Sequence, residues 1–163
     1  MIRTPLPLIL LVAIAAAGCD TNAGQDEFFL QSRLSPSGIT ETNASGEVIG
    51  DPDTEDWRTA PSFQGSVVVM PARPNPASRN EEILIVVQDT FGDIITGGVN
   101  ATGINDNNQF VRLDVDEGNG PIYILSINPR QLRIVGGDDA RLYRIRVFTN
   151  DNRIITYGDI RVQ

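Results

Sequence analysis

The sequence predicts an all-β protein, an antiparallel immunoglobulin-like β-sandwich of seven to eight strands occupying residues 57–163. Three observations carry that expectation. Apolar residues alternate with polar ones at the strand period of two; clusters of Gly, Pro, Asn and Asp interrupt the runs at short intervals; and no segment holds a sustained helical period. A closed barrel is the alternative architecture for the same pattern.

The elements follow in order. Gln64–Met70 is a Val-rich strand, and Pro71-Ala72-Arg73-Pro74-Asn75-Pro76 reads as a stiff turn. Glu82–Gln88 is almost continuously apolar, as a central strand buried on both faces is. Phe91-Gly92-Asp93 turns into a short Ile94–Thr96 run that Gly97-Gly98 ends. After an Asn105–Asn108 turn, Phe110–Val115 alternates, with Val111, Leu113 and Val115 directed inward. Ile122–Ile127 and Leu132–Val135 are two short strands around Asn128-Pro129. Tyr143, Ile145 and Val147 then alternate with Arg144 and Arg146, Asn150-Asp151-Asn152 turns, and Ile154–Val162 returns as a hairpin. Gly158 is expected to mark a bulge there. Arg144 and Arg146 fall on the solvent side of their strand and form a candidate contact surface.

Ahead of this domain the texture differs. Arg3, the apolar run Leu6–Ala17 and the small residues Ala16-Ala17-Gly18 before Cys19 have the layout of a signal peptide over residues 1–18. Twelve apolar residues rise about 18 Å as a helix, short of a hydrocarbon core of about 30 Å. Residues 19–56 read as a flexible tether with a small hairpin at 39–50 around Asn43-Ala44-Ser45-Gly46. Phe28-Phe29-Leu30 is expected to be an early strand or a segment docking on the domain, and Trp57 to pack at the core entrance.

Small residues running directly into the only cysteine make residues 16–19 resemble the lipobox of bacterial lipoprotein precursors. The resemblance implies that Cys19 carries lipid, that the membrane is a partner through that lipid, and that the chain sits extracytoplasmically in a cell envelope. With no second cysteine, no disulfide is expected inside the domain.

Composition excludes several functions. There is no histidine, all 13 basic residues are arginine, and the formal net charge is −8. Zinc, copper and thiolate sites, and Ser–His–Asp or Cys–His catalysis, lack their residues, so no enzyme is expected. An acidic chain repels nucleic acid, so none is expected as a partner. The lack of lysine fits either codon bias or adaptation to salt, which screens carboxylate repulsion. No cofactor is expected apart from weakly held calcium, for which Asp51, Asp53, Glu55 and Asp56 before Trp57, with Asp114 and Asp116, supply oxygen ligands; tight turns select the same residues for backbone reasons. The function expected is that of a protein-binding or structural accessory module with an envelope protein as partner; the alternative is a calcium- or glycan-binding module at the cell surface.

Pro74-Asn75-Pro76-Ala77-Ser78, lying between a Val-rich strand and an apolar one, resembles the opening of the sorting domains of type IX secretion substrates and of the immunoglobulin-like domain of flagellar hook-capping proteins. Asp89-Thr90-Phe91-Gly92 stands where those families carry an Asp-x-x-Gly turn, and Leu142-Tyr143-Arg144-Ile145 where they carry a tyrosine strand. The resemblance spans residues 63–163 and implies a β-sandwich in a cell-envelope setting. Only one strand fits between Pro76 and Asp89, where the families place two.

Overall fold

The structure, a computed structural model, describes residues 21–104, 110–118, 120–132 and 141–163. A helix, α1 (Thr21–Gln31), precedes seven strands: β1 (Val67–Arg73), β2 (Ile83–Asp89), β3 (Val99–Ile104), β4 (Phe110–Asp116), β5 (Ile122–Ile127), β6 (Arg141–Thr149) and β7 (Ile154–Val162). The paired strands are antiparallel and form two sheets, ordered β1-β2-β5 and β4-β3-β6-β7. The sheets pack face to face as a sandwich. The expected all-β sandwich is therefore present, with one short helix in front of it.

Alternation decides which residues fill the space between the sheets. Ile83, Ile85 and Val87 of β2 and Tyr123, Leu125 and Ile127 of β5 point inward from one sheet. Val99 and Ala101 of β3, Tyr143, Ile145 and Val147 of β6, and Ile160 and Val162 of β7 meet them from the other. Burying one such aliphatic side chain contributes about 1.5–3 kcal/mol.

Several local expectations change. The chain after β2 makes no strand at Ile94–Thr96, because Asp89 draws it into a loop: its carboxylate accepts the backbone N–H groups of Phe91, Gly92, Ile94 and Ile95 at 2.8–3.1 Å. The strand instead runs over Val99–Ile104, where Asn100, Thr102 and Gly103 dilute the apolar signal. The proline-rich turn begins later than expected. β1 continues through Pro71 to Arg73 with an irregular register after Met70, which an edge strand tolerates because an outward-facing position needs no N–H. The bulge of the last hairpin lies opposite Val147 and Phe148, at Ile155, and not at Gly158. Leu132 closes a turn after Pro129–Gln131, while the rest of the expected Leu132–Val135 strand and the Asn105–Asn108 turn lie outside the described residues, as do residues 1–18 and Cys19.

The largest departure concerns the stretch read as a tether. From Thr21 onward it belongs to the folded unit. α1 docks Phe28 against Tyr157, with ring centroids 4.9 Å apart, and Ser32, Thr40 and Thr42 are buried. Among the described side chains of α1 only that of Phe28 is buried, so the helix has no apolar face for a periodicity argument to find. Residues 41–49 fold back on themselves through Ile49 N–H to Glu41 O and Asn43 N–H to Glu47 O, and Thr42 also pairs with Asn75.

Candidate functional site

The outer face of the four-stranded sheet is where polar chemistry concentrates. Residues directly opposite in antiparallel strands share a face. Arg144 of β6 opposes Asp159 of β7, and Arg146 opposes Tyr157 on one side and Thr102 of β3 on the other. Both arginines were expected on the solvent side. They are instead 4 % and 6 % exposed, because the N-terminal segment covers this face.

Arg144 is fully engaged. Its Nε and Nη2 donate to the two Asp159 oxygens at 2.7 and 2.8 Å, and its Nη1 donates to Gln31 O at 3.0 Å. The guanidinium also lies over the Tyr157 ring, 5.0 Å from its centroid. Burial works to lower its pKa, but the bonds and charge of Asp159 overrule that and raise it. Asp159 in turn accepts Ser37 N–H at 2.8 Å. Asp56 accepts the N–H groups of Thr40 and Asp159, each at 2.8 Å. Burial, opposed by those two bonds and helped by the charges of Asp159 and Asp53, pushes the Asp56 carboxyl up to about 7. Arg58 completes the clamp by bonding Glu55, Gln31 Oε1 and the Tyr157 hydroxyl at 2.7–3.0 Å.

Arg146 has none of this. Its guanidinium is stacked 4.2 Å from the Phe110 centroid and 5.3 Å from that of Phe148, and among the described residues its hydrogen-bond partner is Thr102 Oγ1 at 3.5 Å. The buried Nε has no acceptor. Burial, with a smaller contribution from the nearby charge of Arg33, depresses its pKa to about 10.

The chain matches no family model, no curated protein and no solved structure. Site assignments therefore rest on the chain's own geometry.

The six calcium candidates do not converge. Asp51 is exposed, Asp53 caps Glu55 N–H at 2.9 Å, Glu55 pairs with Arg58, and Asp56 points inward to Thr40 and Asp159. On β4, Asp114 accepts Ser126 N–H at 2.6 Å, and Asp116 accepts the N–H groups of Gly118 and Ile124, both at 2.8 Å. Among the described residues no group of three or more acidic, cysteine or histidine side chains is placed to hold a metal.

Asp114 and Asp116 serve a sheet edge. Ile124 and Ser126 lie on β5, an edge strand, so the two acids bond two of its outward donors from the other sheet. The opposite edge, β7, is closed more completely. Trp57 N–H, Ala60 N–H and Ala77 N–H donate to the carbonyls of Tyr157, Ile155 and Arg161. Asn75 donates to Asp159 O and accepts Arg161 N–H, while Asp56 takes Asp159 N–H. Asp89 anchors the Asp89-Thr90-Phe91-Gly92 turn that the sequence pointed to, whereas Asn75, Tyr157 and Asp159 are structural anchors that sequence reasoning missed. An acid such as Asp159 inside an apolar strand, level with an arginine on its hairpin partner, was the signal for one of them.

Proposed function

We propose that this chain is a cell-envelope lipoprotein, anchored through lipid on Cys19, that presents an immunoglobulin-like sandwich as a protein-binding or structural accessory module. The sheet order supports the immunoglobulin-like assignment: taking β1, β2, β5 as strands A, B, E and β3, β6, β7 as C, F, G, β4 joins the second sheet beside C.

The observation that carries the binding role is the outer face of β1-β2-β5. Two registered rows, Val68–Gln88–Ile122 and Met70–Val86–Ile124, run across it without a charge. Val68, Met70, Ile122 and Ile124 are 40–54 % exposed. A contiguous apolar sheet face is what protein contact uses, whereas strand addition is disfavoured at β5 and β7 because their edge groups are occupied. The other sheet has its cover within the chain. Because α1 starts two residues after Cys19, a lipid there holds the domain within about 7 Å of the head groups, and not the tens of ångströms away that a coil would give.

Two measurements test the proposal. Mass spectrometry of the mature protein from a lipoprotein-processing bacterium should find acyl groups on Cys19, and an unmodified Cys19 removes the anchor. In-cell cross-linking should capture an envelope protein that the Val68→Asp/Ile124→Asp variant loses while its melting temperature stays near that of the parent. Equal capture by both removes the face as the contact surface.

A further inference from the structure

We propose that Arg112, Arg146 and Arg33 form a binding site for a single phosphate group on the outer face of the four-stranded sheet, with Thr102 at its floor. The site lies on the face opposite the apolar one and is independent of the accessory-module reading.

Register places the parts. Thr102 of β3 pairs with Arg112 of β4 on one side and with Arg146 of β6 on the other, so the three share one face in one row. Neighbouring strands are about 4.8 Å apart, which puts the two arginines astride the Thr102 hydroxyl. Arg33, from the segment that crosses this face, is close enough for its charge to act on Arg146. None of the three has a carboxylate partner among the described residues. The acid on the same face, Asp159, is held by Arg144 from both oxygens.

The anomaly lies in Arg146. Of the two buried arginines, Arg144 is paired with Asp159 and Arg146 has no acid among the described residues, in a chain of net charge −8. A buried guanidinium without a counter-charge carries a desolvation cost that the Phe110 and Phe148 rings offset only in part. An oxyanion with several acceptor oxygens supplies both the missing charge and the acceptor that Nε lacks. Three arginines and a hydroxyl suit a doubly charged phosphate better than a carboxylate. The surrounding negative charge repels an extended polyanion, so the ligand is a small phosphate or phosphate monoester. Phe110, half exposed above Arg146, forms the cover.

The test is titration of the folded protein with inorganic phosphate against chloride at matched ionic strength, following the Arg146 Nε–Hε resonance. A saturable shift is expected, together with a melting temperature that rises and levels off. Phosphate stabilises proteins generally by exclusion, so Arg112→Gln and Arg33→Gln, both at exposed positions, provide the comparison. Each should weaken phosphate at least ten-fold. Arg146→Gln, which also removes the reporting resonance, should abolish the saturable rise in melting temperature, and should it fail to fold, the two exposed variants still decide. A non-saturating rise shared by parent and Arg112→Gln overturns the proposal. So does Arg112-dependent binding of anionic vesicles without binding of free phosphate.

Discussion

Arg144 and Asp159 face each other across the β6–β7 hairpin and close a two-point ion pair beneath the N-terminal segment. Removing one partner of a buried pair strands the other charge and costs about 3–5 kcal/mol. Arg144→Met should lower stability by that amount and speed hydrogen exchange at Ser37 and Thr40, whose N–H groups end on Asp159 and Asp56. The double variant Arg144→Met/Asp159→Leu should recover part of the loss. If the single variant unfolds at the same denaturant concentration as the parent, the pair is not what holds the segment.

Asp56 sets a pH dependence of unusual sign. Its folded pKa, about 7, lies above its ordinary value of 3.8. Between those values the folded state keeps a proton that the unfolded chain has released, so stability falls as pH rises from about 4 to 7 and levels off beyond. Asp56→Asn should remove that decline, read as the difference between the urea midpoints of variant and parent across the window. Parallel profiles would refute it.

Asp89 behaves oppositely. Burial works to raise its pKa, but the four backbone N–H donors prevail and hold it below the ordinary value. Its contribution is present above about pH 4 and is lost as pH falls through the folded value. Asp89→Asn sets an amide N–H₂ against some of those donors and should cost about 1–3 kcal/mol, with a shallower acid limb. A variant with the parent's acid limb would show that the loop is held by other contacts.

Gly158 has no room for a side chain. A Cβ there would enter the indole of Trp57, whose own backbone sits at φ 59° to bring the ring over the strand. Gly158→Ala should destabilise by about 1–3 kcal/mol, as overpacking does, and shift the fluorescence of the sole tryptophan toward that of a solvated indole. Unchanged emission would mean that the ring is not displaced.

How much of this was legible follows from the kind of signal each residue gives. β4 and β6 alternate over whole strands and β2 is a continuous apolar run, so local pattern alone located them. β3 was missed because its outward residues are polar and Gly103 interrupts its inward row. The helix was missed because Phe28 alone anchors it. Arg144 and Arg146 were placed on the correct face of their strand, but whether that face meets water depends on residues 28–58, more than 80 positions away. No local pattern encodes such a contact. Asp114 and Asp116 look like turn or calcium residues for the same reason: their partners, Ile124 and Ser126, belong to the other sheet.

The closed edge of β7 also bears on the timing of folding. Asp56, Trp57 and Ala60 bond to residues 155–159, about 100 positions later in the chain. During synthesis the amino-terminal half emerges first and has no last strand to bond to. The segment over β6 and β7 therefore cannot settle until the carboxyl end is released, and contacts of such long sequence separation form slowly. Until then Asp56, Trp57 and Phe28 remain in solvent. A nascent chain lacking its final ten residues would leave residues 21–60 open to protease, whereas the finished chain shields them.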